Sequence, residues 1–318
     1  MPENERLRLV FCGTPEFAVP TLRALIEAGH DVALVVSQPD RPVGRKQVMT
    51  APPVKLLAME HSIPVVQLEK IKNNVEFRAQ LEAIRPDAIV VVAYGRIIPR
   101  WMLDLPRLGC INLHGSLLPK YRGAAPIQWA VAQGETETGN TTMLLEEGLD
   151  TGPMLMQQRV AINQNATAVD LFAELARVGA PLMLETLAGL AAGTLTPTEQ
   201  DPARATLAPI LTREDGRMDF AAHTAQELYD RWRGFQPWPG AFTVLEGKKL
   251  IVHRMCVSEP LVGTSETGEV VMREGRLFVA CAQRTALELE EVQPEGRTRM
   301  RVDEFLRGVA LTPGARLG

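Results

Sequence analysis

Asp87-Ala88-Ile89-Val90-Val91-Val92-Ala93-Tyr94 decides the fold class. From Ala88 to Ala93 no side chain is polar, so the run does not alternate between a wet and a dry face. A continuous, β-branched run of this kind belongs to a strand covered on both sides, as in the parallel sheet of an α/β fold. Working upstream, Leu7–Cys12 is a second apolar run that ends in Gly13-Thr14-Pro15, and a helical pattern follows through Ala28 and stops at Gly29. Asp31–Ser37 is the next strand, and Gln38–Pro53 reads as a long Pro/Gly/basic loop. Val54–His61 is helical, Ile63–Val66 a short strand and Asn74–Ile84 a helix. Downstream, Cys110–Leu113 is one more strand. Strand–helix–strand order, repeated, predicts an open α/β sheet that receives ligands at the carboxyl ends of its strands.

Thr141–Leu145 and Pro153–Val160 read as paired strands around a Gly148–Gly152 turn. Thr167 followed by Asp170 starts a helix carrying Leu171, Phe172, Leu175 and Val178, and a further helix runs from Pro181 to Ala192. Thr194–Thr206, with its prolines and mixed charges, is the linker. Beyond it Gln226–Arg233 is a short helix, followed by strands at Ala241–Leu245, Leu250–Val257, Glu269–Met272, Leu277–Cys281 and Ala286–Val292. That spacing predicts a small all-β barrel of the OB type. The chain thus divides into residues 1–206 and 207–318.

Composition excludes several classes. The 318 residues suit two domains, and 46% apolar against 23% charged residues is a globular balance. No run approaches the ~20 apolar residues that span a bilayer. Met1-Pro2-Glu3-Asn4-Glu5-Arg6 carries acids into the first strand and is no signal peptide. Cys12, Cys110, Cys256 and Cys281 are far apart in apolar runs, which reads as reduced thiols in the cytoplasm. With no CxxC and no histidine pair at i/i+4, no metal site is expected. A net charge of −4 argues against a surface coated in basic residues for bulk nucleic-acid binding, though not against a local patch.

Gly13-Thr14-Pro15-Glu16-Phe17 fills the place where a dinucleotide binder carries GxGxxG, but it lacks the second and third glycines. A tight turn with proline at a helix start accounts for it. Asn112 and His114, two apart on a strand, share one face at the ligand edge of the sheet. An amide that donates to a developing oxyanion beside an imidazole that moves protons is a useful pair for acyl chemistry. Asp150, in Glu146-Glu147-Gly148-Leu149-Asp150-Thr151-Gly152, is the candidate carboxylate to orient the ring. A satisfied histidine and an Asx turn account for the same residues equally well. No GxSxG elbow is present, so direct transfer is favoured over an acyl-enzyme. Between Arg41 and Lys55 stand four basic residues and no acid, in a loop able to reach phosphates or to serve as a solvated linker. The Arg231–Gly240 stretch interleaves arginine with Trp232, Phe235 and Trp238, a cluster better read as packing than as a stacking platform.

Taken in order, Asn112–Pro119, then Tyr121-Arg122-Gly123-Ala124-Ala125-Pro126-Ile127-Gln128, then Gly148–Gly152, resemble the folate-dependent formyltransferases. Gly13–Phe17, Gln38-Pro39-Asp40-Arg41-Pro42, Pro237-Trp238-Pro239-Gly240 and the Pro313-Gly314…Arg316-Leu317 tail extend the resemblance along the chain, to the branch that acts on aminoacylated tRNA. It implies a Rossmann-like catalytic domain, an OB-type tRNA-binding domain, and transfer of the formyl group of 10-formyltetrahydrofolate to the α-amino group of methionyl initiator tRNA. It implies Asn112, His114 and Asp150 as the catalytic trio. Ser116, Leu117, Leu118 and Pro119, with Val92, Ala93, Tyr94 and Gly95, are implied as folate contacts, and Arg41, Arg45 and Lys46 as tRNA contacts. A cytoplasmic monomer that needs no metal and no membrane is expected.

Two features depart from the family pattern. After Arg45 the loop reads Lys46-Gln47-Val48-Met49, with fewer lysines than a Gly-Lys-Lys pattern. Net charge is −3 over residues 1–206 and −1 over 207–318, so neither part is broadly basic. Rival acceptors are a purine precursor, which the second domain argues against, and an amino sugar nucleotide. A hydrolase releasing formate would use the same trio, and a non-catalytic RNA-binding module would have no need of it.

Overall fold

A computed structural model describes residues 6–44, 46–261, 266–309, 311–312 and 314–318. The chain divides into two compact units. One is built from residues up to Pro126, Glu137–Ala161 and Asp170–Pro209, the other from Ile127–Thr136, Ile162–Val169 and Ile210–Gly318.

In chain order the first unit carries β1 (Arg8–Gly13), α1 (Val19–Glu27), β2 (Asp31–Ser37), β3 (Arg41–Val43), β4 (Val48–Thr50), α2 (Pro53–Glu60) and β5 (Val65–Gln67). It continues with α3 (Val75–Ile84), β6 (Ala88–Val92), α4 (Arg100–Leu103) and β7 (Cys110–His114). Helix α5 (Pro126–Ala132) contributes to the second unit, and β8 (Glu137–Leu144), β9 (Met154–Ala161) and α6 (Ala168–Ala191) follow.

The main sheet has the order β5-β2-β1-β6-β7-β8-β9. Pairing is parallel from β5 to β7 and antiparallel from β7 to β9. Strand order therefore reverses between β1 and β6, the switch point at which open α/β sheets leave a crevice. Gly13 and Val92 are register partners there. One face of the sheet is filled by Val10, Cys12, Leu34, Val36, Ile89 and Val91, packed with Phe77 and Leu81 one helical turn apart on α3. The alternate residues Leu9, Phe11, Val35 and Val90 are equally buried, as the apolar run requires. On β7 and β8, α6 approaches closely because Gly179 has no side chain: a Cβ there would lie 2.7 Å from Leu113 Cδ2.

Three sequence expectations change. The 38–53 segment is not all loop, since β3 and β4 pair as a two-stranded ribbon turned at Gly44, which has φ +71°. The helices expected on either side of Pro181 are one helix; a missing N–H removes a single rung that the adjoining turns can bridge. The 194–206 segment is knitted into the first unit: Thr198 exchanges two 2.8 Å backbone bonds with Met154, and Arg122 N donates to the Thr206 carbonyl at 2.8 Å.

Beyond Ile210 the second unit carries α7 (Ala225–Gly234), started by a Thr224/Glu227 capping box. It continues with β10 (Ala241–Leu245), β11 (Lys248–Ser258), β12 (Val270–Arg273), β13 (Arg276–Ala280), β14 (Ala286–Pro294), β15 (Met300–Arg301) and α8 (Val302–Gly308). The sheet is antiparallel in the order β10-β11-β14-β13-β12, with β15 on β14. Leu317 bridges to Leu245 and Arg316 to Glu269, so the C-terminal residues join the end of β10 to the approach to β12. Inside lie Leu250, Val252, Met255, Leu277, Leu287 and Leu289 with Leu228 and Phe305. Asp230 and Arg233 are paired and almost fully buried, and Arg233 Nη1 also donates to the Ala166 carbonyl at 2.7 Å.

Candidate active site

Strand β7 places Asn112 and His114 on one face, between Val91 of β6 and the Met143–Thr141 stretch of β8. Both are buried at the carboxyl end of the strand. His114 Nε2 lies 2.9 Å from the Tyr121 carbonyl oxygen. A carbonyl only accepts, so Nε2 carries a hydrogen and donates it. Nδ1 then faces Asp150 Oδ2 at 3.7 Å, too far for a direct hydrogen bond but within ion-pair range. Asn112 is nearly as enclosed as His114, two residues before it on the same face of the strand.

Asp150 adopts the left-handed conformation, with φ +50°. Two groups hold it. Its Oδ2 accepts from Gly123 N at 2.8 Å, and its carbonyl accepts from Gln200 Nε2 at 2.8 Å. The same Nε2 reaches the Gly152 carbonyl at 2.7 Å, while Gln200 Oε1 accepts from Arg122 Nε at 3.0 Å and Nη2 at 2.8 Å. Gly152 sits so close to β8 that a Cβ would lie 2.0 Å from the Leu144 carbonyl oxygen. Gly123, with φ +122°, leaves no room for one beside the Ala208 carbonyl. The glycines of the two motifs thus serve close backbone approach.

The Ser116–Pro119 stretch is ordered by Thr141. Its Oγ1 donates to the Ser116 carbonyl at 2.7 Å and accepts from Leu118 N at 3.1 Å and Gln157 Nε2 at 2.9 Å. Gln157 also caps the Leu118 carbonyl at 2.8 Å, before the cis Leu118–Pro119 bond. Ser116 is fully buried, and its hydroxyl donates to the Lys120 carbonyl at 2.7 Å, so it shapes the turn. Leu117 is half-buried and Pro119 buried.

Val92–Gly95 leaves β6 at the switch point. Val92 is buried, Ala93 is exposed with φ +45°, and Gly95 has φ +75°. Tyr94 turns its ring into the core, where burial pushes its phenol pKa up; among the described residues its hydroxyl has no hydrogen-bond partner. Beside Gly95 opens a groove of about 890 Å³, lined by the 69–76 segment and by Arg96 and Ile97. Arg41 and Lys46 stand on the exposed β3–β4 ribbon, with the Arg41 guanidinium 3.9 Å from Glu69. Arg45 lies outside the described residues.

The structure therefore brings Asn112, His114 and Asp150 together and puts Val92–Gly95 on the ligand edge of the same sheet. Sequence reasoning missed Gln200, Tyr121, Thr141 and Gln157. The Tyr121 contribution is a backbone carbonyl, which side-chain identity cannot signal. Gln200 pairs with residues about fifty positions earlier, from a stretch that reads as linker.

Comparison with known proteins gives two family matches: "Formyl transferase" over residues 7–187 and "Formyl transferase, C-terminal domain" over residues 210–310. A methionyl-tRNA formyltransferase of Acidobacterium capsulatum is 66% identical over 312 residues, covering 98% of this chain and 100% of the relative. One from Koribacter versatilis is 54% identical over 310 residues, covering 98% of each chain. Among solved structures, WlaRD, a sugar 3N-formyl transferase crystallised with dTDP and 5-N-formyl-THF, superposes with a TM-score of 0.66 at 17% identity. It covers 92% of this chain and 100% of its own, a likeness of fold.

Proposed function

The chain belongs to the methionyl-tRNA formyltransferases of the formyl transferase family, and on that premise we propose how its residues perform the reaction. The enzyme transfers the formyl group of 10-formyltetrahydrofolate to the α-amino group of methionyl initiator tRNA. A free α-amine titrates near 7.7–8.0 and its ester is a weaker base, so a neutral, attacking fraction exists at pH 7.

The amine nitrogen bonds to the formyl carbon, whose oxygen becomes an oxyanion. Asn112 donates its side-chain N–H to that oxygen. His114 assists from Nδ1 when it carries both ring protons, since Nε2 is engaged by the Tyr121 carbonyl. Asp150, within ion-pair range of the ring, accepts the proton lost by the amine; as the oxyanion collapses back to a carbonyl and the carbon–N10 bond breaks, that proton passes to N10. The donor's ring system occupies the switch-point crevice at Val92–Gly95, and the Ser116–Pro119 turn borders the reacting end.

We assign residues 1–206 to catalysis and 207–318 to tRNA binding. The second unit is read as an OB-type barrel, because residues 316–317 bridge both edges of its sheet. Arg41, Arg45 and Lys46 contact tRNA phosphates, as local clusters must where neither part of the chain is broadly basic. The trio comes from one chain, so a monomer suffices, working in the cytoplasm with its tRNA. Among the described residues no helix is long and apolar enough to cross a membrane, and no group of His, Cys, Asp or Glu could hold a metal ion.

The observation that carries this mechanism is His114 held between the Tyr121 carbonyl and Asp150. Asp150→Asn is the test. It is expected to lower kcat by about 10²–10⁴-fold with modest change in either KM. Near-normal turnover at saturating substrates would remove Asp150 from the chemistry.

A further inference from the structure

The β3–β4 ribbon is a lever with little of its own to hold it. All six strand residues, Arg41–Val43 and Val48–Thr50, are exposed, and among the described residues the two strands pair only with each other. An isolated two-stranded ribbon is marginal in water, so its direction is set where it joins the sheet.

That junction is a compact polar cluster. Asp40, just before β3, accepts from Lys55 Nζ at 2.8 Å through both carboxylate oxygens, and Lys55 lies on α2, just after the ribbon returns. The two ends of the ribbon are therefore clamped together. The hydrogen bonds from Lys55 and Gln67 hold the Asp40 carboxyl below the ordinary carboxylate range. Gln67, at the end of β5, joins the clamp from a third element. Its Oε1 accepts from Lys55 at 2.8 Å, and its Nε2 donates to Asp40 Oδ1 at 2.7 Å and to the Gln38 carbonyl at 2.8 Å.

Gln38 faces the other way as well. Its side-chain Nε2 donates to the carbonyls of Tyr94 at 3.1 Å and Gly95 at 3.3 Å. Its backbone N–H donates to Thr14 Oγ1 at 3.3 Å, and that hydroxyl donates to the same Tyr94 carbonyl at 3.3 Å. Ala93 and Gly95 are both left-handed, so the turn depends on such contacts to keep its shape. One residue thus grips the turn at the switch point and the root of the ribbon.

We propose that Gln38 is a positioning residue that couples the Val92–Gly95 turn to the β3–β4 ribbon, so that folate on the turn and tRNA on the ribbon bind cooperatively. The inference rests on the assignment of those two ligands above. A folate seated on the turn fixes the Tyr94 and Gly95 carbonyls, which fixes the Gln38 side chain and, through Gln67 and Asp40, the ribbon. By linkage, tRNA on the ribbon tightens folate by the same factor.

The test is equilibrium binding to the full chain. The Kd of initiator tRNA is measured with and without saturating tetrahydrofolate, and the Kd of tetrahydrofolate with and without saturating tRNA. The wild-type protein is expected to show the same tightening, about 5-fold or more, in both directions. Gln38→Ala cuts the relay at the turn and Gln67→Ala cuts it at the root. Each is expected to bring the coupling factor to about 1. Gln67→Ala leaves the Gln38 side chain on the turn and so keeps the tetrahydrofolate Kd measured alone, and it supplies the reading if Gln38→Ala folds poorly. A purely structural role would weaken both ligands without abolishing their coupling. Binding of both ligands without coupling in the wild type, or coupling that survives both variants, overturns the inference alone. Failure of the wild type to bind either ligand overturns the functional reading with it.

Discussion

Gln200 Nε2 donates to the carbonyl of Asp150 at 2.8 Å, so a residue of the apparent linker holds the backbone of the candidate catalytic carboxylate. Gln200 is buried and uses both ends of its amide, donating to Asp150 and Gly152 and accepting from Arg122. Gln200→Glu keeps the acceptor for Arg122 but points oxygen at two carbonyls. It is expected to cost about 1–3 kcal/mol of stability, the penalty for buried polar groups left unpaired. At a temperature where it is still folded, kcat should fall more than the KM for folate rises. Steady-state kinetics alongside a urea melt would check both; an unchanged kcat would mean that Asp150 is held without Gln200.

Gly152→Ala should be more damaging still. The new methyl would stand 2.0 Å from the Leu144 carbonyl oxygen, and backbone on backbone has no cheap way to yield. The 148–152 turn must move, taking Asp150 away from His114. We expect little transfer activity and a lowered Tm, while Gly193→Ala, where φ is +66° but open space surrounds the site, should keep activity despite local backbone strain.

The architecture was largely legible from β-branched runs and helix punctuation, and Asn112 and His114 from their spacing on one strand. Asp150 was reachable as the carboxylate of a glycine-bounded turn. What escaped has a common physical cause. The Tyr121 contribution is a carbonyl, Thr141 acts through backbone atoms of a turn 25 residues away, and Gln200 acts across 50 residues. None of these leaves a local period. The ribbon was hidden because its six residues are exposed and carry no alternation, and Pro181 suggested a helix break that its neighbours bridge.

In the second unit, Arg233→Met should destabilise by about 3–5 kcal/mol, because Asp230 would be left buried without its ion-pair partner. The double variant Asp230→Asn/Arg233→Met should recover part of that loss. Denaturant unfolding of the three proteins reads the difference, and equal stability of single and double variants would contradict it.

Acid should act on Glu288. Its bidentate contact with Arg276 is the first cause of a lowered carboxyl pKa, ahead of an opposing desolvation. With the folded value below the unfolded one, its stabilisation is present above the ordinary glutamate range and is lost as pH falls through the folded value. Arg276→Gln should flatten that acid-side slope of the stability curve. An unchanged slope below about pH 4.3 would show the contact to be solvent-screened.

All four cysteines are free, and burial pushes Cys110 and Cys281 up to about 12 and Cys256 to about 11. Thiolate is the reactive form, so iodoacetamide at pH 8 should leave the native thiols essentially unmodified and alkylate all four in denaturant. Rapid labelling of the folded protein at any of these three would refute the burial account.

The central claim is that Asn112 and His114 stabilise the oxyanion formed when the amine attacks the formyl carbon. The most direct measurement is single-turnover transfer of labelled formyl from 10-formyltetrahydrofolate to methionyl initiator tRNA, with methionyl elongator tRNA as the control acceptor. The wild-type protein should formylate the initiator in preference to the elongator, and Asn112→Ala and His114→Ala should each slow the chemical step by about 10²–10³-fold at saturating substrates. Transfer at near wild-type rates by either variant would contradict the account.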